Sequence, residues 1–226
     1  MNVGLECGNV AALLTGNLMT HKKELKRLLQ KLSLVRGNFT LSSGKVSDYY
    51  LDCKLTTMNP EGAVLTGYTI LELLDENEIE ADAIGGPEIG AVPIVSAVAA
   101  VSFFRAEREK QGRPLPAFLV RKQPKGHGRK KQIEGIAPES IRRVVIVDEV
   151  CTGGDSIGIA LHAVEDLKLD VVAVITLVDR EEGGGEKLKE KYGNRYLPIF
   201  TAAELRRDEA ESGTPSSRAE ELLRTK

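Results

Sequence analysis

At 226 residues, with 42% apolar and 28% charged side chains, the chain is long enough for one globular domain with a full hydrophobic core. A formal net charge of −2 excludes a general polyanion binder, so any anion site must be local. Aromatic residues make up only 4% and tryptophan is absent, which argues against a base-stacking platform for nucleic acid.

The first twenty residues contain the short apolar run Val10 to Leu14 without a basic segment before it. This is neither a signal peptide nor a membrane span, and residues 1–20 read as a leader in which Met19 could be an alternative start. Leu25, Leu28, Leu29 and Leu32 recur at helical spacing, so residues 21–35 are expected to form an amphipathic helix. The alternating stretch FTLSSGKVSDYYLD at 39–52 reads as a hairpin or two short strands. Asn59-Pro60 has the form of an N-cap with proline at the first helical position, opening a helix through Leu74.

A strand–helix rhythm follows. Strands are expected at 81–86, 117–121, 144–148, 171–178 and 196–200. Between them lie an apolar helix at 92–104, a helix with Ile157, Leu161, Val164 and Leu167 on one face, and a short helix ending at Tyr192. This alternation means an α/β fold: a central, mainly parallel sheet joined by right-handed crossovers and flanked by helices. The main domain spans 21–204, and the Glu-, Arg- and Ser-rich residues 205–226 read as a solvated tail.

The most informative segment is RRVVIVDEVCTGGDS, ending at Ser156. Val144 to Val147 suit a buried strand, and Asp148 and Glu149 fall where it would end. Ligands of open α/β sheets bind outside the carboxyl ends of strands. The loop of Val150, Cys151, Thr152, Gly153, Gly154, Asp155 and Ser156 then leads into a helix. Its glycines permit positive φ, and the helix N-terminus favours a phosphate. The acids would repel that phosphate and suit vicinal sugar hydroxyls instead, so the loop fits a ribose 5-phosphate. The plainer alternative is an ordinary turn with Asp155 or Ser156 as N-cap. Neither a P-loop nor a dinucleotide fingerprint is present.

A second segment, RKQPKGHGRKK at 121–131, holds six Lys or Arg, one His and no acid. It leaves the carboxyl end of a strand on the same rim, as a mobile cationic lid over an anionic leaving group would. The alternatives are a solvated charge run or a nucleic-acid contact. Cys7, Cys53 and Cys151 are odd in number and unpaired in spacing, which suits a reducing cytoplasm rather than disulfides or structural zinc. Cys151 reads as a packed side chain, with a nucleophilic role as the lesser alternative.

Together, FTLSSGKVSDYYLD at 39–52, GGPEIGAVPI at 85–94, RKQPKGHG at 121–128 and VVIVDEVCTGGDS at 144–156 resemble a type I phosphoribosyltransferase, specifically the orotate branch, over about Leu25 to Phe200. The resemblance implies the fold of that family: a central mainly parallel sheet flanked by helices, with a small N-terminal hood. It implies transfer of the phosphoribosyl group of phosphoribosyl pyrophosphate (PRPP) to orotate, with Mg²⁺ held mainly through PRPP and no direct protein ligand. Asp148 and Glu149 would bind the ribose hydroxyls, and Val150 to Ser156 the 5-phosphate. Arg121, Lys122, Lys125 and His127 would contact PRPP, chiefly its pyrophosphate, with Lys125 and His127 catalytic. Thr152, Arg180, Tyr49 and Tyr50 would hold orotate, the guanidinium fork of Arg180 suiting a carboxylate. The basic loop would reach the active site of a partner subunit, making a homodimer; neither nucleic acid nor membrane is implied as a partner. Alternatives are another nucleobase as acceptor, with an ion pair to Glu181 or Glu182 as the plain role of Arg180, or a PRPP-sensing regulator without catalysis. The sequence departs from the family's pattern in three places. Ser42 and Gly90 stand where relatives carry lysine, which throws the missing charge onto Lys45 or the basic loop, and Glu149 replaces the commoner aspartate.

Overall fold

A computed structural model describes residues 17–40, 46–123 and 132–207. Helix α1 (Leu18–Leu28) is capped by Asn17, whose side chain accepts from the Thr20 amide, and continues through a π-helical turn at Leu29–Ser33. The chain then enters β1 (Leu34–Thr40), so the helix ends two residues before its expected limit and the strand starts five residues before Phe39. Strand β2 (Val46–Leu51) pairs antiparallel with β1 as a separate two-stranded hood.

After the short helix α2 (Lys54–Thr57), the Asn59 side chain accepts from the amides of Glu61 and Gly62 and opens α3 (Pro60–Glu76), as its sequence foretold. The rest alternates: β3 (Ala83–Pro87), α4 (Ala91–Phe104), β4 (Ala117–Val120), β5 (Ile133–Glu134), β6 (Arg143–Cys151), α5 (Asp155–Asp166), β7 (Asp170–Asp179), α6 (Gly184–Tyr192), β8 (Tyr196–Thr201) and α7 (Ala202–Arg207). The six strands lie in the order β5-β4-β3-β6-β7-β8, all parallel neighbours except the β4–β5 edge.

Side chains alternate across β6, which therefore serves two cores. Val145 and Val147 pack with α1, α3 and α4 on one face through Leu25, Leu65, Ile70, Ile94 and Val98. Val144 and Ile146 pack with α5 and α6 on the other through Ile157, Leu161, Val164 and Leu188. All four valine and isoleucine residues from 144 to 147 are buried, at about 25 cal/mol per Å² of apolar surface removed from water.

Two expectations need correction. Leu167 fits the helical period of α5 but lies at its C-cap and is half exposed, because the helix ends before it can turn inward. Leu205, assigned by composition to the solvated tail, is fully buried within α7. Residues 1–16 and 208–226 fall outside the described residues.

Candidate active site

From β3 the chain crosses through α4 to β4 on one side of the sheet, whereas from β6 it crosses through α5 to β7 on the other. The β3–β6 junction is therefore the switch point of the topology, where an open α/β sheet leaves a crevice at its carboxyl edge. Strand β3 pairs with β6 only as far as Gly85↔Ile146, while β7 follows β6 to Cys151↔Asp179. Asp148, Glu149, Val150 and Cys151 thus belong to the strand rather than to the loop after it. Beyond Gly85 the β3–β6 ladder has ended, and the chain leaves β3 after Pro87 through Glu88 to Gly90, next to Glu149.

Asp148 is buried, at 5% exposure, and its Oδ1 accepts from the Glu149 amide at 2.8 Å. Burial pushes its carboxyl up to about 7; that amide hydrogen bond opposes the rise and the neighbouring Glu149 charge adds to it. Glu149 meets a residue that no motif singled out. Lys54 Nζ lies 2.9 Å from Glu149 Oε1 and 2.9 Å from Asp52 Oδ1. Burial disfavours the lysine charge, but hydrogen bonds to these two carboxylates outweigh it and raise its pKa. The other oxygen of Glu149, Oε2, is buried with no hydrogen-bond partner among the described residues. Three carboxylates, Asp52, Asp148 and Glu149, thus gather with one ammonium at the end of β6, an arrangement suited to accepting from vicinal hydroxyls.

The turn after β6 is built for an anion. Gly154 is the N-cap of α5 at φ 89°, in the left-handed region that favours glycine, and no side chain caps the helix. The plain N-cap reading of Asp155 or Ser156 is therefore not what the chain does. The first-turn amides stay available beside the exposed side chains of Thr152 and Ser156. The Thr152 carbonyl accepts from the Gly184 amide and the Cys151 carbonyl from the Arg180 amide, which fixes the turn to the end of β7. The Cys151 thiol is pushed up to about 11, first by burial and then by Asp179, so it is no thiolate at neutral pH.

Arg180 follows β7, its side chain only 10% exposed. Its guanidinium stacks on the Tyr49 ring at 4.9 Å, and Arg206 of α7 lies on the same ring at 5.0 Å. Nε forms an ion pair with Glu182 Oε1 at 2.9 Å, the plain pairing expected as the alternative, though without the alignment of a hydrogen bond. Strand alternation sends Tyr50 to the opposite face, beside Phe39 at 5.7 Å. The hood thus brings Tyr49 to Arg180 and does not bring Tyr50.

At the end of β4, Arg121 Nη1 donates to Glu134 at 3.2 Å while its buried Nε has no hydrogen-bond partner among the described residues. The Lys122 amide donates to Glu88 at 3.1 Å, tying the basic segment to the loop after β3. Lys125 and His127 lie outside the described residues, as do Ser42 and Lys45. Among the described residues no group of three or more His, Cys, Asp or Glu could hold a metal ion, and no helix is long and apolar enough to cross a membrane.

Residues 65–202 match the family model described as phosphoribosyl transferase domain. The orotate phosphoribosyltransferase of Aquifex aeolicus is 42% identical over 191 residues, covering 83% of this chain and 99% of that protein. The chain belongs to the orotate phosphoribosyltransferase family. Another member, from Nostoc sp., is 37% identical, over 88% of this chain and 92% of its own length. Among solved structures, the Mycobacterium tuberculosis orotate phosphoribosyltransferase in complex with Fe(III) dicitrate superimposes with a TM-score of 0.69 at 35% identity, covering 82% of this chain and 99% of that one. The same enzyme in complex with PRPP gives a TM-score of 0.65 at 34% identity, over 82% of this chain and 98% of that one. The type I phosphoribosyltransferase fold expected from sequence is the fold observed.

In this phosphoribosyltransferase the Gly90 departure faces the Glu149 departure directly. A Cβ at position 90 would stand 2.7 Å from Glu149 Cγ.

Proposed function

We infer that the carboxyl edge of the sheet carries out the reaction of its family: transfer of the 5-phosphoribosyl group of PRPP to orotate, giving orotidine 5′-monophosphate and pyrophosphate for pyrimidine biosynthesis. The observation that carries this reading is the uncapped turn of α5 next to the Asp148–Glu149 pair at the switch point. An anion cradle and a hydroxyl acceptor one loop apart are what a phosphoribosyl donor calls for.

Val150 to Ser156 receive the 5-phosphate through backbone amides and the hydroxyls of Thr152 and Ser156. Asp148 and Glu149 accept from the ribose hydroxyls. Arg180, lying over the Tyr49 ring, offers its fork to the orotate carboxylate, with Thr152 beside the base. Tyr50, facing the other side of the hood, drops out of this set. Orotate's ring nitrogen attacks the anomeric carbon with inversion as the bond to pyrophosphate breaks, so no covalent enzyme intermediate is needed. The fixed loop and Arg180 set donor and acceptor in line.

Arg121, Lys122, Lys125 and His127 neutralise the departing pyrophosphate, Lys125 and His127 as the catalytic pair. Two carboxylates on an open rim fit a Mg²⁺ that arrives on PRPP rather than one caged by protein. Bound there, the metal would supply further charge to the leaving oxygens. The assignment includes a cytoplasmic homodimer in which the basic loop serves the partner's site.

The test follows the ultraviolet absorbance of orotate after adding PRPP and Mg²⁺, with uracil and adenine as parallel acceptors. Loss of the orotate signal that requires both additions supports the reading. Consumption of adenine in its place would overturn the role of Arg180. Binding of PRPP without turnover of any base would favour a PRPP sensor.

A further inference from the structure

Gly90 has a φ of −61°, an ordinary helical value, so the backbone does not require glycine there. Space does. An ideal Cβ would lie 2.7 Å from Glu149 Cγ and 2.8 Å from both Cδ and Oε1, closer than real side chains approach. A free glutamate could swing aside at little cost, but Glu149 is not free. Lys54 Nζ holds Oε1 at 2.9 Å, and Lys54 is itself held at 2.9 Å by Asp52 Oδ1. The Lys54 amide also donates to that Asp52 oxygen, at 3.1 Å, so the start of α2 and its side chain are fixed together.

With Oε1 committed to the lysine, Oε2 remains buried and unpaired. An orphaned carboxylate oxygen is costly unless a donor arrives, and a ribose hydroxyl is such a donor. A half-exposed ion pair adds little stability. What this one fixes is where the carboxylate sits.

We propose that Lys54 and Gly90 act together as positioning residues for Glu149, the lysine holding one carboxylate oxygen and the glycine clearing the space its side chain needs, so that the carboxylate keeps one orientation at the place where the ribose hydroxyls of PRPP bind and Oε2 stays uncommitted until they arrive. This rests on the reading that Glu149 faces the ribose. It also brings two departures of the sequence together: Cγ, Cδ and Oε1 of Glu149 occupy the volume that a side chain at position 90 would take. Lys54, 95 residues away in sequence from Glu149, supplies a cation to this corner of the site.

The experiment is steady-state kinetics of the full chain with PRPP and orotate varied in turn. Gly90→Ala is expected to raise the KM for PRPP about tenfold while the KM for orotate moves less than about twofold. In the double variant Gly90→Ala/Glu149→Gln the KM for PRPP is expected to rise no further than in Glu149→Gln alone, because the displaced group no longer carries the contact. Lys54→Met raises the KM for PRPP to a similar extent, and Lys54→Arg restores it. Additive losses in the double variant, or a normal KM for PRPP in Lys54→Met, would overturn the proposal. Should Gly90→Ala fail to fold, the Met and Arg variants at Lys54 still decide it. Glu149→Gln separates the two levels of argument. An unchanged KM for PRPP there removes the ribose reading itself, whereas a raised KM there with a harmless Gly90→Ala removes only the coupling.

Discussion

Replacing Asp148 with asparagine isolates what the fold gives up to place a carboxylate at the end of β6. Asparagine keeps an oxygen to accept from the Glu149 amide, which Asp148 now does at 2.8 Å, and removes only the charge. Burial raises the folded-state pKa of Asp148 from 3.8 to about 7. In the unfolded chain the group ionises near the lower value. Between these two pH values the unfolded state therefore binds fewer protons than the folded state, and stability falls as pH rises through the window. Above about pH 7 both states are ionised and the penalty is constant. A shift of roughly three units corresponds to at most about 4 kcal/mol, and local relaxation reduces it. The assay is urea unfolding of wild type and Asp148→Asn in parallel from pH 4 to pH 8, so that groups common to both cancel. The variant is expected to match wild type near pH 4 and to gain on the order of 2 kcal/mol or more by pH 8, while losing PRPP turnover. A stability difference independent of pH would refute the reasoning, and a variant less stable at pH 8 would reverse its sign.

Three further outcomes follow from the same geometry. Arg180→Ala should raise the KM for orotate by about thirtyfold, the size of a lost charged hydrogen bond, with the KM for PRPP little changed; Arg180→Lys should not restore it, because an ammonium cannot stack flat on Tyr49. Lys125→Ala should lower turnover by about 10²–10³ with an unchanged unfolding curve, and near-normal turnover would remove the lid role. In Gly86→Ala the new methyl would run into the Val147 carbonyl oxygen across the β3–β6 junction, so the urea midpoint should fall by the equivalent of about 1–3 kcal/mol or more.

What the sequence disclosed depended on whether a local signal carried the feature. The Asn59-Pro60 cap and the apolar run Val144 to Val147 are local, and both appear as read. The end of β6 is not local. Hydrophobicity stops at Val147, yet the strand runs to Cys151 because β7 offers a ladder partner out to Asp179. Leu205 was hidden by the polar composition around it, although with Ala202 it is buried and its carbonyl accepts from Gln30, which docks the short helix. Tyr49 and Tyr50 read alike as neighbours in a motif, and only the pleat of β2 separates them. Lys54 carried no motif at all. Its one sequence cue was Asp52 two positions earlier, and its meeting with Glu149 is a product of the tertiary fold.

The charges of the described crevice bear on what PRPP binding requires. Asp52, Asp148 and Glu149 are set against Lys54 and against Lys122, whose charge reaches Asp148, while Arg121 is already paired with Glu134 and Arg180 with Glu182. Burial makes a full charge on Asp148 unfavourable. Such a surface suits sugar hydroxyls better than a pyrophosphate, and in the proposed reaction the α5 turn is taken up by the 5-phosphate. The missing positive charge has to come from elsewhere, and the 121–131 segment concentrates it, with six Lys or Arg and no acid. In the proposed reaction that segment would then serve to bind the pyrophosphate end as well as to ease its departure. Loss of Lys125 should accordingly raise the KM for PRPP in addition to lowering turnover, and added salt should weaken PRPP more than orotate, because PRPP carries the larger charge into the site.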